Sequence, residues 1–295
     1  MNYVKITRYR KKSPLKTKIC IISDIHFSPK ESSKRFNKVL KSIKKESPGY
    51  ILIPGDIIDS ADAVDDEKEF YRVLDWFKEL SQLAKVFISR GNHDMYRRPN
   101  DDNDKRRWLL DYNELFWDKL RKISNIFVLE NSGYSDERVY VFGVDLPPEY
   151  YNFEQVSFGK STIFHPVREN KSELLHTLEK SSLDTEKSKI NFFLCHSPIY
   201  MTDPDILKKL DGFDYIVSGH MHNGIVPPIL NELWRGTRGI LSPTRELFPL
   251  NSRRGNIDKG GKLVISGAVT TFAACAGKKR IFRGLFPIYM TVIEL

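Results

Sequence analysis

Five times along this chain, a short apolar run stops on a cluster of side chains able to bind a metal or move a proton. The runs are Ile19-Cys20-Ile21-Ile22-Ser23, Tyr50-Ile51-Leu52-Ile53-Pro54, Lys85-Val86-Phe87-Ile88-Ser89, Ile190-Asn191-Phe192-Phe193-Leu194-Cys195 and Tyr215-Ile216-Val217-Ser218. They lead, at once or after one residue, into Asp24-Ile25-His26, Gly55-Asp56, Gly91-Asn92-His93-Asp94, His196 and Gly219-His220-Met221-His222. Continuous apolar runs of this length read as strands covered on both faces, so the chain must build sheet with other layers on either side. In extended backbone, residues two apart point the same way, so Asp24 with His26, and His220 with His222, can each converge on one point.

Amphipathic segments separate the first three runs. Phe36, Val39, Leu40 and Ile43 recur at helical spacing with lysines opposite, and Ser47-Pro48-Gly49 stops that helix; a second helix carries Phe70, Val73, Leu74, Phe77 and Leu80. Asp24, Asp56 and Asn92 therefore follow one another at roughly the 30 or more residues of a strand-helix-strand unit. Three parallel strands then present their C-terminal ends along one sheet edge, where open α/β sheets bind ligands. Elsewhere, residues 4–7 read as an edge strand with a basic linker up to Lys18, and 97–104 as an exposed loop. A helix is expected to carry Trp108, Tyr112, Leu115, Phe116, Leu120 and Ile123, and strands to follow at 126–129 and 139–145. The stretch 146–170 has no usable pattern. His165 falls there as background, and His176 points to water from a helix with Leu174, Leu175 and Leu178 on its apolar face. Segments 263–266, 269–272 and 287–293 alternate like strands of a second sheet that closes the core.

Size and charge bound the rest. A chain of 295 residues, 40% hydrophobic, can bury one large core. The expected organisation is one domain over 19–295, with 1–18 as a basic strand and linker packed on it and 224–256 as an overhanging loop. No apolar run approaches bilayer length, and the start Met1-Asn2-Tyr3-Val4-Lys5-Ile6 lacks the core of a signal peptide, so a cytoplasmic location is expected. Cys20, Cys195 and Cys275 are widely spaced and odd in number, which argues against a structural disulfide. The net charge of +9 is local. Lys5, Arg8, Arg10, Lys11, Lys12, Lys16 and Lys18 share the N-terminal arm with no acid, and Arg235, Arg238, Arg245, Arg253 and Arg254 outnumber Glu246 in one loop; the remainder is slightly acidic. That distribution is an arm and a loop, not a face that would track nucleic acid.

Of the 7 histidines, five stand directly at the strand ends, a sorting that scattered core or surface histidines would not produce. The ordered pattern Asp24-Ile25-His26, Gly55-Asp56, Gly91-Asn92-His93-Asp94, His196 and Gly219-His220-Met221-His222 resembles the calcineurin-like metallophosphoesterase superfamily. A looser likeness points to a bacterial branch of envelope phosphoesterases and UDP-diacylglucosamine pyrophosphatases, from which Asn223-Gly224 departs where many members carry Gly-Gly. The resemblance implies an α/β fold, a four-layer α-β-β-α sandwich of two mixed sheets with two divalent ions at the strand ends. Asp24, His26 and His222 would hold one ion and Asn92, His196 and His220 the other, with Asp56 bridging. Manganese comes first, with iron, zinc and magnesium compatible. A water shared by two such ions is acidified enough to attack phosphorus, so the expected reaction is hydrolysis of a phosphodiester or pyrophosphate. Together with Asn92, His93 would contact the phosphate and donate the leaving-group proton, with Asp94 fixing its ring and raising its pKa. Asp59 reads as a helix N-terminal charge in preference to an outer acceptor.

From Ile225 to Leu250, apolar and basic residues alternate without strand or helix period, beginning close to His222. They read as an overhang that grips an amphiphilic, lipid-linked substrate through Arg235 and Arg238, against the inner membrane face. A nuclease or nucleotide phosphodiesterase served by the basic arm is the alternative, and a non-catalytic scaffold of the same fold is another. The complete ligand set and His93 speak against the last.

Overall fold

Alternation along the strands sorts the apolar side chains into three separate layers. The computed structural model describes residues 3–98 apart from 12, 14 and 30, residues 109–222 apart from 152, 159, 160, 167 and 168, and residues 262–270 and 287–295. In chain order the strands are β1 (Val4–Arg10), β2 (Lys18–Ile21), β3 (Tyr50–Pro54), β4 (Lys85–Ser89), β5 (Tyr96–Arg97), β6 (Leu109–Leu110), β7 (Ile126–Val128), β8 (Ser132–Ser135) and β9 (Val139–Gly143). They continue with β10 (Phe153–Phe158), β11 (Ser161–Pro166), β12 (Ile190–Leu194), β13 (Tyr215–Ser218), β14 (Leu263–Ile265) and β15 (Ile288–Glu294). The helices are α1 (Ser33–Glu46), α2 (Glu67–Leu83), α3 (Glu114–Arg121), α4 (Lys171–Lys180) and α5 (Pro204–Lys209).

One sheet has the order β1-β15-β2-β3-β4-β7 and the other β14-β13-β12-β9-β8, while β5-β6 and β10-β11 pair only with each other. Within the first, β2, β3, β4 and β7 are mutually parallel. Within the second, β14, β13, β12 and β9 are parallel, and β8 runs antiparallel at the edge. Ile19, Ile21, Leu52 and Phe87 of one sheet meet Val141, Phe192, Leu194 and Val217 of the other. Their chain neighbours Cys20, Ile22, Ile51, Ile53, Val86 and Ile88 point outward onto Phe36, Val39, Phe77, Leu80 and Trp117 of α1, α2 and α3. Tyr140, Phe142, Phe193 and Ile216 likewise meet Leu174, Leu178 and Ile206 of α4 and α5. The order of layers is α-β-β-α, as the resemblance implies.

Local chemistry sets the helix ends. Ser32 Oγ accepts from the Lys34 N–H at the start of α1, and Ser47 closes it in a left-handed conformation with φ 49°. Asp66 caps α2 through the Glu69 N–H. Three expectations are corrected. The last strand joins the first sheet, lying antiparallel to β2 from Thr291 opposite Ile21 to Glu294 opposite Lys18. Among the described residues of these three segments, only β14 joins the second sheet. Alternation marks a strand as half-buried but carries no record of which sheet receives it. The N-terminal strand is longer than 4–7, because all seven residues of β1 pair parallel with β15. The third helix begins only at Glu114, capped by the Asn113 side chain on the Phe116 N–H; Trp108 lies outside the described residues.

Residues 223–261 and 271–286 also lie outside them, and with them the expected overhang, Arg235, Arg238 and Cys275. Cys20 and Cys195 are free and buried. Among the described residues, no helix is long and apolar enough to cross a membrane.

Candidate metal centre

The parallel strands deliver their polar termini to one place. Asp24 and His26 follow β2, Asp56 follows β3, Asn92 to Asp94 follow β4, His196 follows β12, and His220 and His222 follow β13. Asp24, His26, Asp56, Asn92, His196 and His222 are all buried. Backbone bonds lace the turns together: Ile25 and His26 N–H groups donate to the Asp56 carbonyl at 2.7 and 3.0 Å. The two sheets join here as well, since Ser23 bridges to Ala268, and Val269 and Thr270 N–H groups donate to the Ser23 and Asp24 carbonyls at 2.9 Å.

The turns are strained to achieve this. Asp24, His26, Asp56, His220 and His222 have φ of 50°, 47°, 54°, 68° and 45°. A left-handed backbone costs an L-residue about 1–2 kcal/mol. Five such residues at one point mark a place where the fold sacrifices stability to aim side chains.

What they are aimed at is two groups of donors. In the first, His26 Nε2 lies 3.0 Å from His222 Nε2, and His222 Nε2 lies 3.3 Å from Asp24 Oδ1. In the second, His220 Nδ1 lies 3.2 Å from His196 Nε2. Asp56 Oδ2 belongs to both, at 3.4 Å from His26 Nε2 and 3.1 Å from His196 Nε2. Tetrahedral ligand nitrogens about 2.0–2.1 Å from an ion stand roughly 3.3 Å apart, so these nitrogen pairs are spaced to share a cation. Asp56 Oδ2 and Asn92 Oδ1 are buried and take no hydrogen bond. Imidazole, carboxylate and carboxamide form a donor set that suits divalent ions. The residues therefore fit a metal.

The remote ring nitrogens are tied down. His196 Nδ1 faces the Pro54 carbonyl at 2.7 Å, and His222 Nδ1 faces the Thr270 carbonyl at 3.0 Å. A carbonyl only accepts, so each Nδ1 carries the proton and each Nε2 turns its lone pair into the cluster. Asp24 is held by the His220 N–H at 2.9 Å and Ser23 Oγ at 2.6 Å. Burial alone would lower the His196 imidazole, yet the Asp56 and Asp24 carboxylates outweigh it and raise it to about 9. Burial alone would raise Asp56, yet His196, His93 and His26 hold it well below the usual carboxylate range. Burial holds the His222 ring down at about 4. The buried carboxylates of the cluster thus call for positive charge beside them, which a divalent ion would supply.

His93 stands at the more open side, its ring edge-on to His26 with centroids 4.5 Å apart. Its N–H donates to Asp56 Oδ1 at 2.9 Å and its Nδ1 faces the Asp59 carbonyl at 2.8 Å. Burial keeps its imidazole below the ordinary value. Two expectations change. Asp94 accepts from the backbone N–H groups of Gly91, Ile57 and Ile58 at 2.8, 2.9 and 3.1 Å, so it ties the Gly91 turn to the Asp56 turn, and it is Asp59 that meets the His93 ring. Successive residues of the short 3-10 turn His93–Met95 diverge, which sends the two side chains apart. Asp59 is no helix charge: its Oδ1 lies 3.6 Å from His26 Nδ1 and its other oxygen pairs with Arg98, while Ser60 begins the 3-10 turn Ala61–Val64. Sequence reasoning missed Thr270, Pro54 and Glu169, the last 3.0 Å from His220 Nε2. The first two act through backbone carbonyls and leave no side-chain signal.

The profile of the calcineurin-like phosphoesterase family matches residues 17–224. The chain belongs to that family. It is 22% identical over 213 residues to an uncharacterized metallophosphoesterase of Campylobacter jejuni, covering 72% of this chain and 46% of that protein. It is 24% identical over 242 residues to an uncharacterized protein of Acanthamoeba polyphaga mimivirus, covering 74% of this chain and 16% of that one. The chain thus spans less than half the length of these relatives. Among solved structures it is similar to a dimetal phosphatase from Danio rerio, with TM-score 0.46, 14% identity, and 86% of this chain and 88% of that one covered.

Proposed function

We propose that this chain is a dinuclear metal-dependent phosphoesterase that hydrolyses a phosphodiester or pyrophosphate bond. The observation that carries the reading is Asp56 Oδ2, a buried oxygen without a hydrogen bond that stands between His26 Nε2 and His196 Nε2. Asp24, His26 and His222 would hold one ion, Asn92, His196 and His220 the other, and Asp56 both; manganese is the first assignment, with iron, zinc and magnesium compatible. Held there, divalent ions would supply Lewis acidity to a phosphoryl oxygen and would acidify a water.

The chain's own residues do the rest. Asp24 and Asp56 leave a two-ion centre with a small positive excess, which attracts a phosphate oxygen. His93 is held through Nδ1, so Nε2 is the nitrogen assigned to phosphate contact, and as the imidazolium the ring would give the leaving oxygen its proton from Nε2, with Asp94 keeping the turn beneath it in place. Arg98 is engaged by Asp59, and the other described side chains of the cluster are imidazoles, carboxylates and Asn92. The single charge of a diester phosphate suits those surroundings better than the double charge of a monoester. Arg235 and Arg238 are assigned from sequence as further phosphate contacts. The alternation over 225–250 is assigned to the apolar part of a lipid-linked substrate at the inner membrane face. A nucleic-acid substrate is less favoured because four basic residues of the arm are already engaged by carboxylates, Arg8 and Lys18 with Glu46, Arg10 with Glu294 and Lys11 with Asp214.

The test compares a chromogenic phosphodiester with the matching monoester, using metal-stripped protein with and without added Mn(II). The diester should be cleaved faster, only with metal, and about a hundredfold more slowly by His93→Ala, which should still bind metal. Preference for the monoester would overturn the substrate assignment. A chain that binds Mn(II) yet cleaves neither compound would favour the scaffold reading.

A further inference from the structure

A carboxylate beside the cluster has neither a lysine nor an arginine partner among the described residues. Glu169 is 4% exposed and lies between β11 and α4. Its Oε1 is 3.0 Å from His220 Nε2, and its Oε2 accepts a hydrogen bond from Ser197 Oγ at 2.9 Å. Ser197 follows His196, so this one carboxylate touches the turns that carry both histidines of the second donor group. The peptide unit that follows it is held at both its groups: the Tyr200 hydroxyl donates to the Glu169 carbonyl at 2.9 Å, and the Asn170 N–H donates to the Tyr150 carbonyl at 2.9 Å.

The two donor groups differ in charge. The first contains Asp24 as well as the shared Asp56, whereas the second has only the shared carboxylate among its own donors. Of the remote ring nitrogens, those of His196 and His222 face the neutral carbonyls of Pro54 and Thr270, and His26 Nδ1 lies 3.6 Å from Asp59 Oδ1. In the second donor group, His220 alone has a carboxylate behind it. A buried carboxylate is costly unless opposite charge is near, and a cation held by His196, His220 and Asp56 would provide it. A carboxylate behind a ligating imidazole also fixes the ring and makes it a stronger donor.

We propose that Glu169 is a positioning residue of the second donor group, turning His220 so that Nδ1 faces His196 and Asp56 and supplying from behind the ring the charge that this group lacks. The proposal rests on the reading that two ions bind. It sets the second ion's affinity without touching the first, because Glu169 contacts neither His26, His222 nor Asp24.

The test is calorimetric titration of Mn(II) into metal-stripped native chain, Glu169→Gln, Glu169→Ala and Ser197→Ala, with thermal melts to establish folding. The native chain should bind two equivalents. Glu169→Ala should bind one as the native chain does and the other about 10–100-fold more weakly. Glu169→Gln should fall between, because its carboxamide oxygen keeps the contact without the charge. Ser197→Ala, which frees the turn but leaves the charge, should stay within about threefold of native. Raising Mn(II) should restore hydrolysis in Glu169→Gln. If the native chain binds two equivalents and both Glu169 variants match it, the proposal is overturned and the two-ion reading stands. Equal weakening of both equivalents, or the same loss in Ser197→Ala, would make Glu169 a structural tie and also overturn it. A native chain that binds one equivalent overturns the two-ion reading, and the proposal with it.

Discussion

A Cβ atom at Gly91 would lie 2.3 Å from Asp56 Oδ1 and 2.6 Å from the Asp56 backbone nitrogen, both closer than any side chain tolerates. Gly91→Ala must therefore push away the turn that carries the shared carboxylate. The expected result is a folded protein with a lowered melting temperature and both Mn(II) equivalents weakened about tenfold or more; calorimetric titration checks it, and native affinities would show that the Asp56 position is not critical. At this scale the sequence was legible wherever a side chain itself carries the chemistry. Asp24, His26, Asp56, His196, His220 and His222 stand out by type and place, and the structure brings their donor atoms together. Asp94 and Asp59 were not legible. Asp94 accepts from the backbone N–H groups of Gly91, Ile57 and Ile58, and Asp59 meets the His93 ring through its own carbonyl and Arg98 through its carboxylate, contacts made only once three separate turns meet.

Between elements, the clearest electrostatic tie joins β1 to α1. The Arg8 guanidinium grips Glu46 with both nitrogens at 2.6 Å, and Lys18 adds a contact at 3.4 Å. The Arg8 hydrogen bonds, opposed by burial, hold the Glu46 carboxyl down at about 2, below its ordinary 4.5. A carboxyl lowered on folding stabilises the fold in full above its unfolded value and loses that contribution as pH falls towards the folded one. Glu46→Gln should thus cost about 1 kcal/mol at pH 7, a figure kept small because Arg8 is 37% exposed to screening solvent. The difference from the native chain should shrink between pH 4.5 and pH 2, and denaturant unfolding across that range measures it. A pH-independent difference would mean that Glu46 acts by packing. Helices α1 and α2 were legible because their apolar spacing and their stops are local. The place of β15 was not, since an alternating strand fits either sheet until its neighbours are known.

Over the whole molecule, the site exists because two sheets end together. Arg90, 8% exposed, spans that junction: it follows β4, pairs with Asp145 after β9 at 2.5 Å and Glu130 at 2.8 Å, and lies over the Tyr112 ring. With the Ser23 to Ala268 bridge, it sets the distance between the Asp56 turn of one sheet and the His196 and His220 turns of the other. The four layers were legible from the doubly buried strands and the resemblance they carried. The way the sheets close on each other was not, because Ala268 and Val269 supply only backbone to it and the Thr270 hydroxyl answers a backbone carbonyl, that of Ile25. Whether two ions share Asp56 is measured most directly by electron paramagnetic resonance of metal-stripped protein loaded with Mn(II), for the native chain and for Asp56→Asn. Two ions sharing the Asp56 carboxylate should give an exchange-coupled spectrum at two equivalents per chain, and Asp56→Asn should lose the coupling. A single bound equivalent, or a coupled spectrum that survives Asp56→Asn, would contradict the account.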